Sequence, residues 1–294
     1  TALAFITPAR DGLLNVVAGS NVQRMIFLTS LCQFGFQIVG YLLAGLTDFV
    51  GPIYILAVQC LALLFGAVGY LKMGDVEQTS KAKPAVRTSV LKDFWEGGVT
   101  VVSSSLMRAV MIQNVAMGCF FMGTFMVAMP LVLREVFAGS ALDLAILSAV
   151  NSTGLVLTIL VLLRVGHVVR AGRALILSQV LGALVLVLAG AVNVQWQFTS
   201  LILIWGICGG LALPMSRSLM QQLAPPAQRG RVMSFYSFSF MGVGPVGALL
   251  IGHLAGLFGP QTAVVLAGLG MLVVVGVVSV SSPVWSSELP REPQ

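Results

Sequence analysis

A handful of amides and one indole stand out in a chain poor in polar groups. Gln33 and Gln37 are one helical turn apart and so share a face. Gln113 and Asn114 enter a later apolar run, Asn151 sits midway along the next with Thr153, and Trp205 lies in another. A side-chain amide in hydrocarbon must find a partner or water. Such residues either line a polar cavity or tie helices together as packing contacts. Trp205, Phe120, Phe121, Phe125 and Met126 either form an apolar wall for a greasy ligand or face lipid.

Other chemistries find no support. No carboxylate lies mid-run, where an ionisable group would be the default coupling residue. Cys32, Cys60, Cys119 and Cys208 all fall within apolar runs without metal-ligand spacing, which reads as small buried apolar residues and no metal or cofactor. There is no Gly-rich phosphate loop ending in Lys-Ser/Thr, and no Ser/His/Asp or His/Cys cluster that would suggest an enzyme. His253 reads as a packed or rim histidine, and His167 as part of a basic loop.

The elements that must position these residues are membrane spans. The chain has 294 residues, 57% hydrophobic and 9% charged, with mean hydropathy +0.98. Soluble domains carry about 25% charged residues. Eight apolar runs are long enough to span, at residues 25–46, 52–71, 109–133, 144–163, 174–192, 198–216, 232–257 and 262–280. Fifteen of the 16 Lys and Arg fall on one side of this alternation, and only Arg134 on the other. That asymmetry predicts cytoplasmic chain ends and accounts for the net charge of +6 by topology rather than by nucleic-acid binding. Within the long loop at 72–108, Val90 to Met107 reads as a helix lying in the cytoplasmic interface.

The stretch from Arg229 to Pro260 carries Gly242, Gly244, Pro245, Gly247 and Gly252 in an apolar setting. Small residues let helices approach closely in lipid, so these positions are assigned to helix packing and rocking. An offset of 207 residues lays Arg24 on Arg231, Gly35 on Gly242, Gly40 on Gly247 and Gly45 on Gly252. With one inserted residue, Gly51-Pro52 falls on Gly259-Pro260. This is an internal repeat of several helices, a common transporter plan. It divides the chain into residues 1–90, the C-terminal part of a first six-helix half, and residues 91–294, a complete second half. Equal halves would place roughly three further spans ahead of Thr1.

Three passages carry a family resemblance. They are Pro8-Ala9-Arg10 with Asn21, then Leu106-Met107-Arg108 with Pro130-Leu131-Val132-Leu133 and Gly139-Ser140, and finally Arg229-Gly230-Arg231-Val232 with Gly244-Pro245-Val246-Gly247. With them the chain resembles the major facilitator superfamily, from the end of its fourth helix to its twelfth, and within it the bacterial drug, siderophore and macrolide exporter branch. The resemblance implies an all-α integral membrane fold of two six-helix bundles in a bacterial inner membrane. It implies proton-driven export of a small amphipathic molecule by alternating access, with no cofactor. Gln33, Gln37, Gln113, Asn114, Asn151 and Trp205 would then line the cavity, while Arg10, Asp11, Arg170, Arg173, Arg229 and Arg231 would serve the cytoplasmic gate and loops. Two departures are visible. Phe36 and Val39 replace the proline and a glycine of the antiporter motif in Gly35–Gly40, and the basic loop from Gly166 to Arg173 lacks its acidic partner. These fit an alternative, a non-transporting membrane sensor or assembly partner with a transporter-like fold.

Overall fold

In lipid the backbone must satisfy its own hydrogen bonds, and a run of about 20 apolar residues does so as a helix. The computed structural model describes residues 22–72, 90–166 and 168–286, and every regular element among them is helical. Helices α1 (Val22–Gly45) and α2 (Pro52–Lys72) follow one another, with a single turn at Thr47–Val50 between them. The shorter α3 (Val90–Ser103) follows. The rest are α4 (Ser105–Val136), α5 (Ala141–Val165), α6 (Ala171–Ala189), α7 (Gln195–Leu223), α8 (Arg229–Phe258) and α9 (Pro260–Ser281). All but α3 are long and apolar enough to cross a membrane, which gives the eight spans expected.

The bundle is assembled pairwise. Helix α1 runs along α5, α5 and α6 both pack on α7, α6 packs on α9, and α8 crosses α4 beside α9. Two crossings bring backbones into contact. A Cβ added at Gly123 of α4 would lie 2.7 Å from the Gly247 carbonyl, and one at Gly247 would collide with the carbonyl oxygen of Cys119. On the other side of the bundle, Gly206 of α7 lies against the backbone of Asn151 on α5. Along the α8 contact, α4 widens into π-type turns at Met117–Met122 and Thr124–Ala128, and again at Val132–Val136. Between the last two stretches lies Pro130, which has no N–H to donate.

The proposed packing glycines divide. A Cβ added at Gly45 would lie 2.7 Å from Ala145 Cβ of α5, one at Gly244 would lie 3.0 Å from Met122 Sδ, and one at Gly252 would be an ordinary 3.6 Å from Val127. The atoms nearest an added Cβ at Gly242 belong to the ring of Phe238 on its own helix, and at Gly35 or Gly40 nothing lies within 4 Å. Pro245 stands inside α8 on an exposed face.

One end of the bundle gathers the basic residues. The amide of Gln23, at the start of α1, donates to Met215 Sδ of α7 at 3.7 Å and accepts from Val168 N at 3.1 Å, in the loop before α6. At the opposite end Ser140 and Asp143 form a capping box at the start of α5. There Gln195 donates to Asp143 at 3.2 Å, and Gln261 donates to the Val192 carbonyl at 2.8 Å. The same end shows the repeat in backbone geometry. Gly51 and Gly259 sit at φ 89° and 86°, a region open to glycine, and each is followed by a proline at the first position of the next helix.

Three expectations need correction. The interfacial helix stops at Ser103 rather than Met107, because Ser104 leaves helical geometry and its side chain caps α4 through Met107 N. Helix α7 continues past the first charge to Leu223, so Arg217 belongs to a helix and not to a loop. Cys32 and Cys60 are exposed rather than buried.

The α4–α8 contact leaves no room for a side chain. Gly247→Leu is expected to destabilise the protein by about 1–3 kcal/mol or more, read as a lowered melting temperature in detergent. Gly40→Ala should be neutral or gain roughly 0.5–1 kcal/mol. Equal shifts for the two variants would mean that this contact does not hold the bundle.

Candidate functional site

Helix α1 places Ser30, Gln33, Phe34, Gln37 and Tyr41 on one stripe, spaced at three and four residues. That stripe borders a cavity of about 690 Å³, within the ~300–1,000 Å³ range of small-molecule sites. The remaining lining comes from α4, α5, α7 and α8. Of the six predicted cavity residues, Gln33, Gln37, Asn114, Asn151 and Trp205 line it. Gln113 does not. It is fully buried, and neither of its amide atoms has a hydrogen-bond partner among the described residues.

The polar groups are held in different ways. Gln37 donates to Tyr41 Oη at 2.7 Å along its own helix. Asn151 donates to the Ile202 carbonyl at 3.4 Å, so it bridges α5 to α7 while facing the cavity. Asn114 uses its nitrogen twice, on the Tyr236 carbonyl at 3.0 Å and on Ser239 Oγ at 2.8 Å, both on α8. Its oxygen, buried and without a partner, is the unspent acceptor. Tyr236 itself lines the cavity and donates to Ser216 at 3.0 Å.

The apolar wall is aromatic. Trp205 is 7% exposed and takes Phe121 edge-on at 5.6 Å between centroids, with Phe125 tilted at 6.3 Å. Such pairs contribute about 0.5–1.5 kcal/mol beyond burial and fix the ring planes. Met126, 55% exposed, borders the same space.

Sequence reasoning missed Arg217 and Tyr236. Arg217 is the single Lys or Arg among the described residues that line the cavity. Its signal was the repeat, which lays Arg10 on Arg217. For Tyr236 it was the polar run Ser234 to Ser239 inside an otherwise apolar span.

Of the arginines assigned to the cytoplasmic gate and loops, Arg170, Arg173, Arg229 and Arg231 are not among the residues that line the cavity. Arg231 pairs with Glu96 of α3 at 2.5 Å, and the neighbouring Thr100 donates to Gln228. Arg173 donates to the Trp285 carbonyl at 3.2 Å and lies 5.6 Å from that ring's centroid. Arg170 is exposed just ahead of α6, and the Arg229 Nε is buried without a hydrogen bond. Arg10, Asp11 and His167 lie outside the described residues. His253 is exposed on α8, and no group of three or more His, Cys, Asp or Glu that could hold a metal occurs among the described residues.

Gln113 and Asn114 are neighbours with opposite expectations. Gln113→Met removes an unsatisfied buried amide at nearly constant shape and should raise the melting temperature, by about 1 kcal/mol of stability. Asn114→Leu breaks both bonds to α8 and should lower it by a similar or larger amount. Thermal unfolding of the two purified variants checks the signs.

No curated protein gave a match to the sequence. A family model described as the Major Facilitator Superfamily matches residues 111–293, from the second turn of α4 to beyond α9. With that match covering more than half of the chain and an all-helical, membrane-spanning fold in agreement with it, the protein belongs to the Major Facilitator Superfamily of membrane transporters.

Proposed function

We propose that this transporter exports a small amphipathic molecule by alternating access, coupled to the proton gradient across a bacterial inner membrane. The cavity carries the reading. It is lined by α1 on one side and by α4, α5, α7 and α8 on the other, as a site between two rocking bundles would be. Residues 1–90 then belong to the first bundle and residues 91–294 form the second, with both chain ends on the basic, cytoplasmic side. The aromatic wall suits an apolar body, and Gln33, Gln37 and Asn151 suit its polar groups. Helix α3 exposes Trp95, Val99 and Val102 on one stripe while Glu96 and Thr100 hold it to the start of α8. It fits a strap at the membrane surface that steadies the inner end of the second bundle. Among the described residues no carboxylate lines the cavity, so the proton-carrying group of this reading lies elsewhere in the protein.

The test is flux. The intact protein in proteoliposomes, given an imposed pH gradient and a broad panel of amphipathic compounds, should move at least one of them. A protonophore should abolish that movement, and Trp205→Ala or Gln37→Leu should reduce it about tenfold or more. A folded protein that moves nothing in the panel would favour the sensor or assembly-partner reading.

A further inference from the structure

Helices α5 and α7 cross so closely that Gly206 lies against the backbone of Asn151. The crossing sets two side chains on the cavity wall, Asn151 and Trp205, each only 7% exposed. The Asn151 nitrogen donates to the Ile202 carbonyl at 3.4 Å. A carbonyl can only accept, so this bond orients the amide and leaves its oxygen as an acceptor. The Trp205 indole can only donate. Among the described residues neither the Asn151 oxygen nor the Trp205 N–H has a hydrogen-bond partner, and neither is sealed in as the Asn114 oxygen is. Ile202 and Trp205 are three residues apart, so the acceptor and the donor border the same turn of α7.

Their depth limits what they can bind. Asn151 is ten residues beyond Ala141, the start of α5, and Trp205 ten beyond Gln195, the start of α7. Both helices begin at the end where Gln195 meets Asp143. At 1.5 Å per residue the two groups lie level, about 15 Å down, in the middle of a hydrocarbon core about 30 Å thick. Among the described lining residues the one Lys, Arg, Asp or Glu is Arg217. It stands 12 residues further along α7, or about 18 Å away. An ionised ligand group at the crossing would carry the desolvation cost of a charge with no counter-charge beside it. A neutral group with one acceptor and one donor would satisfy both protein atoms.

We propose that the α5–α7 crossing is a subsite for an uncharged group that both accepts and donates a hydrogen bond, such as a carboxamide, carried on an aromatic body. The ligand carbonyl accepts from the Trp205 N–H, the ligand N–H donates to the Asn151 oxygen, and the body lies along Phe121 and Phe125. This deepens the transport reading and rests on the same cavity being the substrate site.

The test uses three probes of nearly one shape: 2-(naphthalen-2-yl)acetamide, the methyl ketone that replaces its NH2 by CH3, and the carboxylate. The amide is tritiated and bound to the intact protein in lipid nanodiscs, and the others compete for its saturable component. The amide should bind about fivefold more tightly than the ketone, which lacks one neutral bond, and at least about tenfold more tightly than the carboxylate. Trp205→Phe keeps a ring but removes the N–H, and should weaken amide and ketone alike. Asn151→Leu should bring the amide down to the ketone's affinity. A loss in Asn151→Leu shared equally by amide and ketone would mean a structural role and overturn the proposal. So would equal affinities of amide and ketone on the unmodified protein, a preference for the carboxylate, or no saturable binding of the amide. The ranking on the unmodified protein decides even where a variant fails to fold. Flux separates the subsite from the function it rests on. Amide-selective binding without movement of any compound keeps the subsite and removes the transport reading. Movement of panel compounds without amide-selective binding does the reverse.

Discussion

The contact between the backbones of α4 and α8 is the constraint on which the cavity depends. Lipid tails are as apolar as leucine, so helices in a bilayer gain little from hiding apolar side chains from one another. Close van der Waals contact must hold them instead. Gly123 and Gly247 make that possible by leaving no side chain between the two peptide chains. The same approach puts Asn114 within reach of the Tyr236 carbonyl and Ser239, two bonds that no wider crossing would permit. It also accompanies the widened turns of α4, whose Met117, Phe121 and Phe125 border the cavity.

A second crossing, at Gly206 and Asn151, does for α5 and α7 what the first does for α4 and α8. The cavity lies where these two tight pairs meet the stripe of α1. Its walls are therefore two stiff units and one partly exposed helix. Helix α1 packs along α5 as extensively as α5 packs on α7, whereas α7 meets α8 at few points, so the weaker seam runs between the two tight pairs. An arrangement of firm pairs with a weaker seam between groups is what a moving bundle needs, since packed units shift as bodies and do not deform.

Much of this was legible in the residues. Apolar run length gave all eight spans, because the bilayer thickness sets one length for all of them. The Gly-Pro repeat marked two corners that share one backbone geometry, because positive φ and a first-turn proline are both written in residue type. Side-chain direction was less legible. Gln113 and Asn114 are neighbours, yet one is sealed in the core and the other faces the cavity. In a helix hydrophobic nearly all round, no amphipathic phase separates them. Arg217 was lost for a related reason. Reading by hydropathy ends a span at its first charge, whereas a long basic side chain can extend from a helix that continues. Gly35 and Gly40 share a pattern with Gly242 and Gly247, but only Gly247 meets another helix's backbone, and pattern alone does not say which helix lies opposite.

The double anchorage of Asn114 couples one wall of the cavity to a helix crossing. Its nitrogen is shared by the Tyr236 carbonyl and Ser239 Oγ, which fixes the side chain in rotation where α4 borders the cavity. Drawing α4 away from α8 would break both bonds at once, so the two helices shift as one body. Any change in the cavity's width then falls to the sparse contact between α7 and α8.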